Sequence, residues 1–141
     1  ETDGPEGMQC ALLLDVSDPV ETTRKRLLDA VALPPAFDAL LCINMIHISP
    51  WATTQGLMRL ADSLLREEGL LYLYGPYKRD GRHTAPSNAE FDADLQSRNP
   101  EWGIRNLDDV CAQAQQHTLA LHDVVEMPAN NLSVIFRKMH A

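Results

Sequence analysis

"FDALLCINMIHISPW", residues 37–51, decides the fold: an apolar run breaks off at Asn44 and His47, and the chain restarts at once as a helix. A short continuous apolar run bounded by polar residues reads as a buried strand, here 37–45. Ser49 then stands where a helix N-cap belongs, with Pro50 just inside it. Leu57, Leu60, Ala61, Leu64 and Leu65 recur at helical spacing, and Gly69 is placed to end the helix. A buried strand that ends on an amide and an imidazole implies something polar beyond its end.

Working outward, "QCALLLDV" (9–16) is another short apolar run and reads as a strand. "DPVETTRKRLLDAVAL" follows as a helix, with Asp18 as N-cap, Pro19 at its first position, Glu21 completing a capping box and Pro34-Pro35 as its stop. Downstream, "LLYLYGPY" (70–77) is a third strand, halted by Gly75-Pro76. Strand, helix, strand, helix, strand calls for right-handed crossovers and a parallel sheet, so the class is α/β. Beyond the polar loop "KRDGRHTAP", Ser87-Asn88-Ala89-Glu90 is a capping box opening a helix to about Leu95. Asn106 caps another helix carrying Leu107, Val110, Cys111 and Ala114. "LALHDVVEM" and "LSVIFRKM", joined only by Pro128-Ala129-Asn130-Asn131, must form a hairpin, which makes the sheet mixed.

With 141 residues the chain holds one domain, 9–141, after a polar Gly/Pro-bearing tail at 1–8 that reads as a cut, processed or frayed end. A net charge of −8 and a pI near 4.9 argue against general nucleic-acid affinity, which needs a basic face. Cys10, Cys42 and Cys111 lie far apart in or beside apolar runs, the pattern of reduced thiols in a cytoplasmic protein. No stretch nears the ~20 apolar residues that span a bilayer.

Ligands of open α/β sheets sit beyond the carboxyl ends of the strands. Asp15 ends the first run, and Asn44 and His47 end the second beside a helix N-terminus. The third leads into Tyr74, Tyr77, Lys78, Arg79, Arg82 and His83. Each has a plainer reading. His47 could bond a backbone carbonyl, Asp15 could cap the next turn, and the basic loop could be a solvated loop. Trp102 and Arg105 flank a turn at Gly103, where they either pack or close a pocket. No Gly-x-Ser-x-Gly, P-loop or His-Glu-x-x-His occurs. The five histidines show no metal-ligand spacing, so no metal is expected. No Gly-x-Gly-x-x-Gly follows a strand.

"LLLDVS", "FDALLCINMIHISPW", "GLLYLYGPYKRDGRHTAPSNAEFDADL", "WGIRNLDDV" and "VVEMPANNLSVIFRK" together resemble a family of methyltransferase-like proteins once known only as a domain of unknown function. The similarity spans about residues 11–138, and "GPYKRDGRHTAPSNAEFD" and "EMPANN" are its distinctive parts. That family is similar to class I methyltransferases, Rossmann-like folds with strand order 3-2-1-4-5-7-6 that bind S-adenosylmethionine. The resemblance implies that "ALLLDV" is strand 3, "ALLCINM" strand 4, "LLYLYGP" strand 5 and the closing hairpin strands 6 and 7. Strands 1 and 2 have no counterpart. The expectation is thus an N-terminally truncated, mostly parallel sheet with an antiparallel end, the C-terminal part of such a domain.

By that resemblance Asp15 and Met45 face the cofactor. Asn44 and His47 face the methyl group and its acceptor, with His47 as proton acceptor. Tyr74, Tyr77, Arg79, Arg82 and His83 form the acceptor or anion side. Without a glycine-rich loop, S-adenosylmethionine binding is expected to be weak or absent, and catalysis by this chain alone is not expected. A non-catalytic small-molecule or anion-binding module and a self-associating structural remnant are the competing readings. With strands 1 and 2 gone, strand 3 either slides beside strand 4 or two chains pair edge to edge, and a homodimer is the expected outcome.

Overall fold

The strand and helix read from residues 37–64 form as β1 (Phe37–Ile43) and α2 (Trp51–Leu64), joined by a 3₁₀ turn at Ile46–Ile48. The computed structural model describes residues 12–30 and 37–140. Before β1 comes α1 (Val20–Ala30). After α2 the order is β2 (Leu65–Gly75), β3 (Lys78–Arg79), β4 (Arg82–His83), α3 (Pro86–Arg98), α4 (Leu107–Gln115), β5 (Leu119–Met127) and β6 (Asn131–Lys138).

The main sheet has four strands in the order β1-β2-β6-β5, and β3 and β4 form a separate small hairpin. β1 lies parallel to β2, with Leu41 opposite Tyr72. β6 runs antiparallel to β2, placing Ile135 opposite Tyr72, and β5 runs antiparallel to β6. The class is α/β with a mixed sheet, but antiparallel pairings outnumber the single parallel one. The expectation of a mostly parallel sheet is corrected by the run at 9–16. Residues 9–11 lie outside the described residues, and 12–16 form no strand. Leu13 is 90% exposed. Leu14 and Val16 pack instead on a small cluster of Leu27, Leu60 and Leu64 between α1 and α2. A glycine permits this: a Cβ at Gly56 would stand 2.3 Å from the Val16 carbonyl oxygen, so the 16–17 backbone lies directly on α2. Among the described residues no strand pairs with the outer edge of β1.

One face of the sheet is the core. Leu71, Leu73, Val134 and Phe136 point from it onto Met58 and Ala61 of α2 and Val110 and Ala114 of α4, as period-two alternation demands. The other face carries Leu41, Ile43, Tyr72, Tyr74, Ile135 and Arg137. None of these belongs to either core cluster, and Leu41 and Ile43 are 68% and 58% exposed.

Several boundaries move for physical reasons. α2 ends at Leu64, not Gly69, because Leu65 is already paired with Phe37 of β1. "REEG" is a bulge in β2, where Glu68 takes a positive φ of 68°. A Cβ at Gly69 would stand 2.8 Å from the Arg66 carbonyl oxygen, which explains the glycine. Ser49 does not cap α2; its hydroxyl donates to the Met45 carbonyl at 2.8 Å. At α1 the Pro19 carbonyl accepts the first helical bond, from Thr22, and the Asp18 N–H donates to the Asp15 carbonyl. α3 starts at Pro86 rather than after Ser87, and runs on to Arg98. Asn106 holds the N-cap position of α4, but its side chain accepts from the Gly81 N–H instead of from the helix.

Candidate functional site

The turn after β1 puts His47 beneath the carboxyl end of the sheet. Asn44 takes a positive φ of 54°, which this residue type tolerates, and its N–H donates to the Tyr74 carbonyl of β2 at 2.9 Å. The chain then coils into the Ile46–Ile48 turn, and the His47 carbonyl accepts from the Gly103 N–H at 3.0 Å. Arg105 holds the turn from outside. Its guanidinium donates to the Ser49 and Glu101 carbonyls at 2.8 Å each and to Ile46 at 3.4 Å, and it lies over the Trp51 ring. Sequence alone left Arg105 between packing and closing a pocket; it is the clamp on the His47 turn.

His47 is 4% exposed, and its Nδ1 is shut off from solvent without a hydrogen-bond partner. Gly75 leaves it room: a Cβ there would stand 3.3 Å from Cε1, 3.4 Å from Nδ1 and 3.5 Å from the Asn44 amide oxygen. Phe91 of α3 meets the imidazole edge-on at 5.7 Å. His47 and Asn44 open on a cleft of about 440 Å³, whose other walls are Ile48, Pro76, Ser87, Asn88, Phe91, Ala129 and Asn131.

Burial pushes the His47 imidazole below its ordinary value, and the Arg105 guanidinium pushes it the same way. The ring is therefore neutral at pH 7 and able to take a proton. A lowered folded-state value means the unfolded chain binds the proton first. The stability tied to neutral His47 is then complete above the unfolded value near pH 6.5 and is lost as pH falls through the lower folded one. Ring-proton NMR should show His47 titrating below the ordinary imidazole value of 6.5. His47→Gln should flatten the stability profile below about pH 6.5. A His47 midpoint at or above 6.5 would contradict this account of the site.

The other sequence candidates scatter. Tyr74 lies at the rim, its hydroxyl accepting from Asn131 Nδ2 at 3.3 Å. Tyr77, expected on the acceptor side, is 1% exposed in the core, where burial pushes its phenol well up. Arg79 is exposed 3.9 Å from Glu126, beside a second cleft of about 220 Å³ that meets the first at Asn131. Arg82 is exposed at the loop hairpin. His83 and Lys78 turn to the buried Asp92, at 3.2 and 3.7 Å. Asp15 and Met45 do come together, in a further cleft of about 530 Å³ with Leu13, Leu14, Val16, Ser49 and Thr53. Asp15 also takes its plainer role: its carboxylate accepts from the Ser17 hydroxyl and N–H at 2.6 and 2.9 Å, bonds that hold it below the usual carboxylate range. Among the described residues no group of His, Cys, Asp or Glu is placed to hold a metal ion, and no helix is long and apolar enough to cross a membrane.

Sequence reading missed Asn88, Phe91 and Asn131 in the His47 cleft. The signal was present in α3, where Asn88, Asp92 and Leu95 share a helical face and are all buried. A polar pair on the apolar face of a helix marks groups that need partners inside.

Solved structures share this fold. An O-methyltransferase family 2 protein from Planctomyces limnophilus, in complex with apigenin, matches with TM-score 0.66 and 22% identity over 74% of this chain and 32% of that one. Human N-acetylserotonin methyltransferase, in complex with SAM, matches at 0.67 and 12% identity over 77% and 31%. LaPhzM matches at 0.64 and 15% identity over 85% and 40%. The chain thus spans between 31% and 40% of the length of these proteins. At the level of sequence, residues 3–138 match the family described as "Protein of unknown function (DUF938)", and the chain belongs to that family.

Proposed function

We propose that this chain forms the acceptor-binding side of an S-adenosylmethionine-dependent O-methyltransferase-like site, with His47 as the proton acceptor. One observation carries the reading: a buried, neutral imidazole is held against Gly75 at the carboxyl end of the sheet and opens on a cleft of ligand size. With Nδ1 sealed on the sheet side, Nε2 is the nitrogen left to take a proton from an acceptor hydroxyl. Asn44 and the Arg105 clamp hold the backbone turn that carries the ring. The sheet order supports the reading, since β1-β2-β6-β5 runs as strands 4-5-7-6 do in the class I fold. The structural neighbours that are methyltransferases favour the same reading.

S-adenosylmethionine would supply the methyl group. The Asp15–Met45 cleft fits one side of such a molecule, having an acidic rim of Asp15 and Asp18 and an apolar wall of Leu13, Leu14 and Val16. It offers no glycine-rich backbone cradle, so this chain should hold the cofactor in the millimolar range, about −4 kcal/mol. Titration with S-adenosylhomocysteine should shift the amide signals of Asp15, Met45 and Ser49, with saturation only at millimolar concentration. No shift there, or shifts confined to another surface, would overturn the methyl-transfer reading; micromolar saturation would overturn its weak-cofactor part.

The outer edge of β1, which no strand among the described residues covers, and the exposed Leu41 and Ile43 favour one addition to this reading, that two copies pair through β1.

A further inference from the structure

The lining of the His47 cleft restricts what can enter it. Among the described residues no lysine, arginine, aspartate or glutamate side chain contributes to its wall. Of the basic side chains in the neighbouring loop, Lys78 and His83 turn to Asp92, Arg79 toward Glu126, and Arg82 is exposed. Two of the three amides that line the cleft, Asn88 and Asn131, are committed in a particular sense, while Asn44 keeps both its donor and its acceptor. Asn88 Nδ2 donates to the Thr84 hydroxyl at 3.3 Å and the Asn130 carbonyl at 3.4 Å. Asn131 Nδ2 donates to the Tyr74 hydroxyl at 3.3 Å and the Pro128 carbonyl at 3.4 Å. An amide nitrogen has two hydrogens, so both side chains have only their carbonyl oxygens left for a ligand. Neutral His47 adds a lone pair. Phe91, Ile48 and Pro76 complete the wall with apolar surface.

We infer that the acceptor is an uncharged molecule with an apolar body and at least two hydrogen-bond donors, one hydroxyl directed to His47 and a second to the carbonyl oxygens of Asn131 or Asn88. This deepens the proposed function and rests on its placing the acceptor in this cleft. An anion would find donors only in the neutral Asn44 and Ser87 side chains and no cation in the wall, leaving its charge desolvated and unpaired. A ring without donors would leave those carbonyl oxygens unsatisfied when it displaced their water, the asymmetry that makes polar sites selective.

Three probes isolate the two properties: catechol, with two donors and no charge; 1,2-dimethoxybenzene, the same ring without donors; and 3,4-dihydroxybenzoate, the same donors with a carboxylate. Each is titrated by NMR into the whole chain. Catechol is expected to shift the signals of His47, Asn88, Phe91 and Asn131 and to bind at least about tenfold more tightly than either other probe. In Asn131→Ala, and independently in Asn88→Ala should one of them fold poorly, the preference of catechol over dimethoxybenzene should shrink. Benzoate binding as tight as catechol, above all if Arg79→Ala removes it, would overturn the inference, as would equal binding of the dimethoxy probe or no binding by any of the three. S-adenosylhomocysteine binding at Asp15 and Met45 separates the outcomes. If it occurs while these preferences fail, only the acceptor class is wrong. If it is absent while catechol binds, the cleft is a small-molecule pocket and the methyl-transfer reading falls.

Discussion

Replacing Asp92 with alanine should lower the unfolding free energy by about 3 kcal/mol at neutral pH. The carboxylate is 5% exposed and serves four groups at once. One oxygen accepts the Ile104 N–H at 2.8 Å, and the other faces His83 Nε2 at 3.2 Å and Lys78 Nζ at 3.7 Å. Burial alone would raise this carboxyl. The hydrogen bonds from Ile104 and Gln96, with the charges of Lys78 and His83, outweigh burial and hold it below the usual carboxylate range. Removing it strands a buried N–H and the inward-pointing Lys78 and His83, and His83 already has an Nδ1 with no partner. The figure stays near the lower end for a broken buried pair because Lys78 and His83 both reach solvent in part.

The pH dependence has a definite sign. With the folded-state value below the unfolded one, the contribution of Asp92 is fully present above about pH 4 and disappears as pH falls through its lower folded value. Asp92→Asn should therefore cost less than Asp92→Ala and should flatten the acid limb of the stability curve. Denaturant melts of the three proteins from pH 7 to pH 2.5 test this. A cost within about 0.5 kcal/mol for Asp92→Ala would mean that the carboxylate only fills space.

The second large effect is on mass. If two copies pair through β1, light scattering at micromolar concentration should give twice the 15.7 kDa chain mass. The double variant Leu41→Lys, Ile43→Lys should return the single-chain mass with little loss of stability, because both side chains lie outside the core clusters. Among the described residues no strand pairs with the outer edge of β1, and the strand contains no lysine, arginine, proline or unpaired bulge at its centre to blunt it. The bulge at its start faces β2, not the outside. A wild-type chain that scatters as a monomer at 100 micromolar would dispose of the proposal.

Most of the architecture was legible because local pattern and tertiary need agree. β5 is the whole of "LALHDVVEM", and the hairpin follows from its short connection. Where they disagree, tertiary structure wins. "LREEG" favours helix by propensity, yet Leu65 is taken by Phe37 and the strand begins there. "ALLLDV" has the composition of a buried strand, but 12–16 lie on α2 without a strand to pair with. In the candidate site, Asn44 and His47 were visible at the strand–helix turn, since polar groups there break the apolar pattern, whereas Arg105 was legible only as one flank of the turn at Gly103. Tyr77 was placed at the site because it follows a strand end, whereas the turn at Gly75-Pro76 sends its side chain back into the core. Asn88 and Asn131 could not be assigned from spacing, because they meet only when α3 and the β5–β6 turn fold together.

The absence of any linker between α2 and β2 has a mechanical meaning. The helix stops at Leu64 and the strand starts at Leu65, while the far ends of the two carry the His47 turn and Gly75. Both jaws around the imidazole are thus ends of one folded arm, locked along its length where Met58 and Ala61 meet Leu71 and Leu73. Such an arm does not hinge. The spacing between ring and glycine is fixed when the core forms, so the pocket is preorganised, and a ligand need not pay to order that side of it. Adaptation to different occupants is left to the opposite wall, where Ala129 and Asn130 hold positive φ angles in the exposed β5–β6 turn.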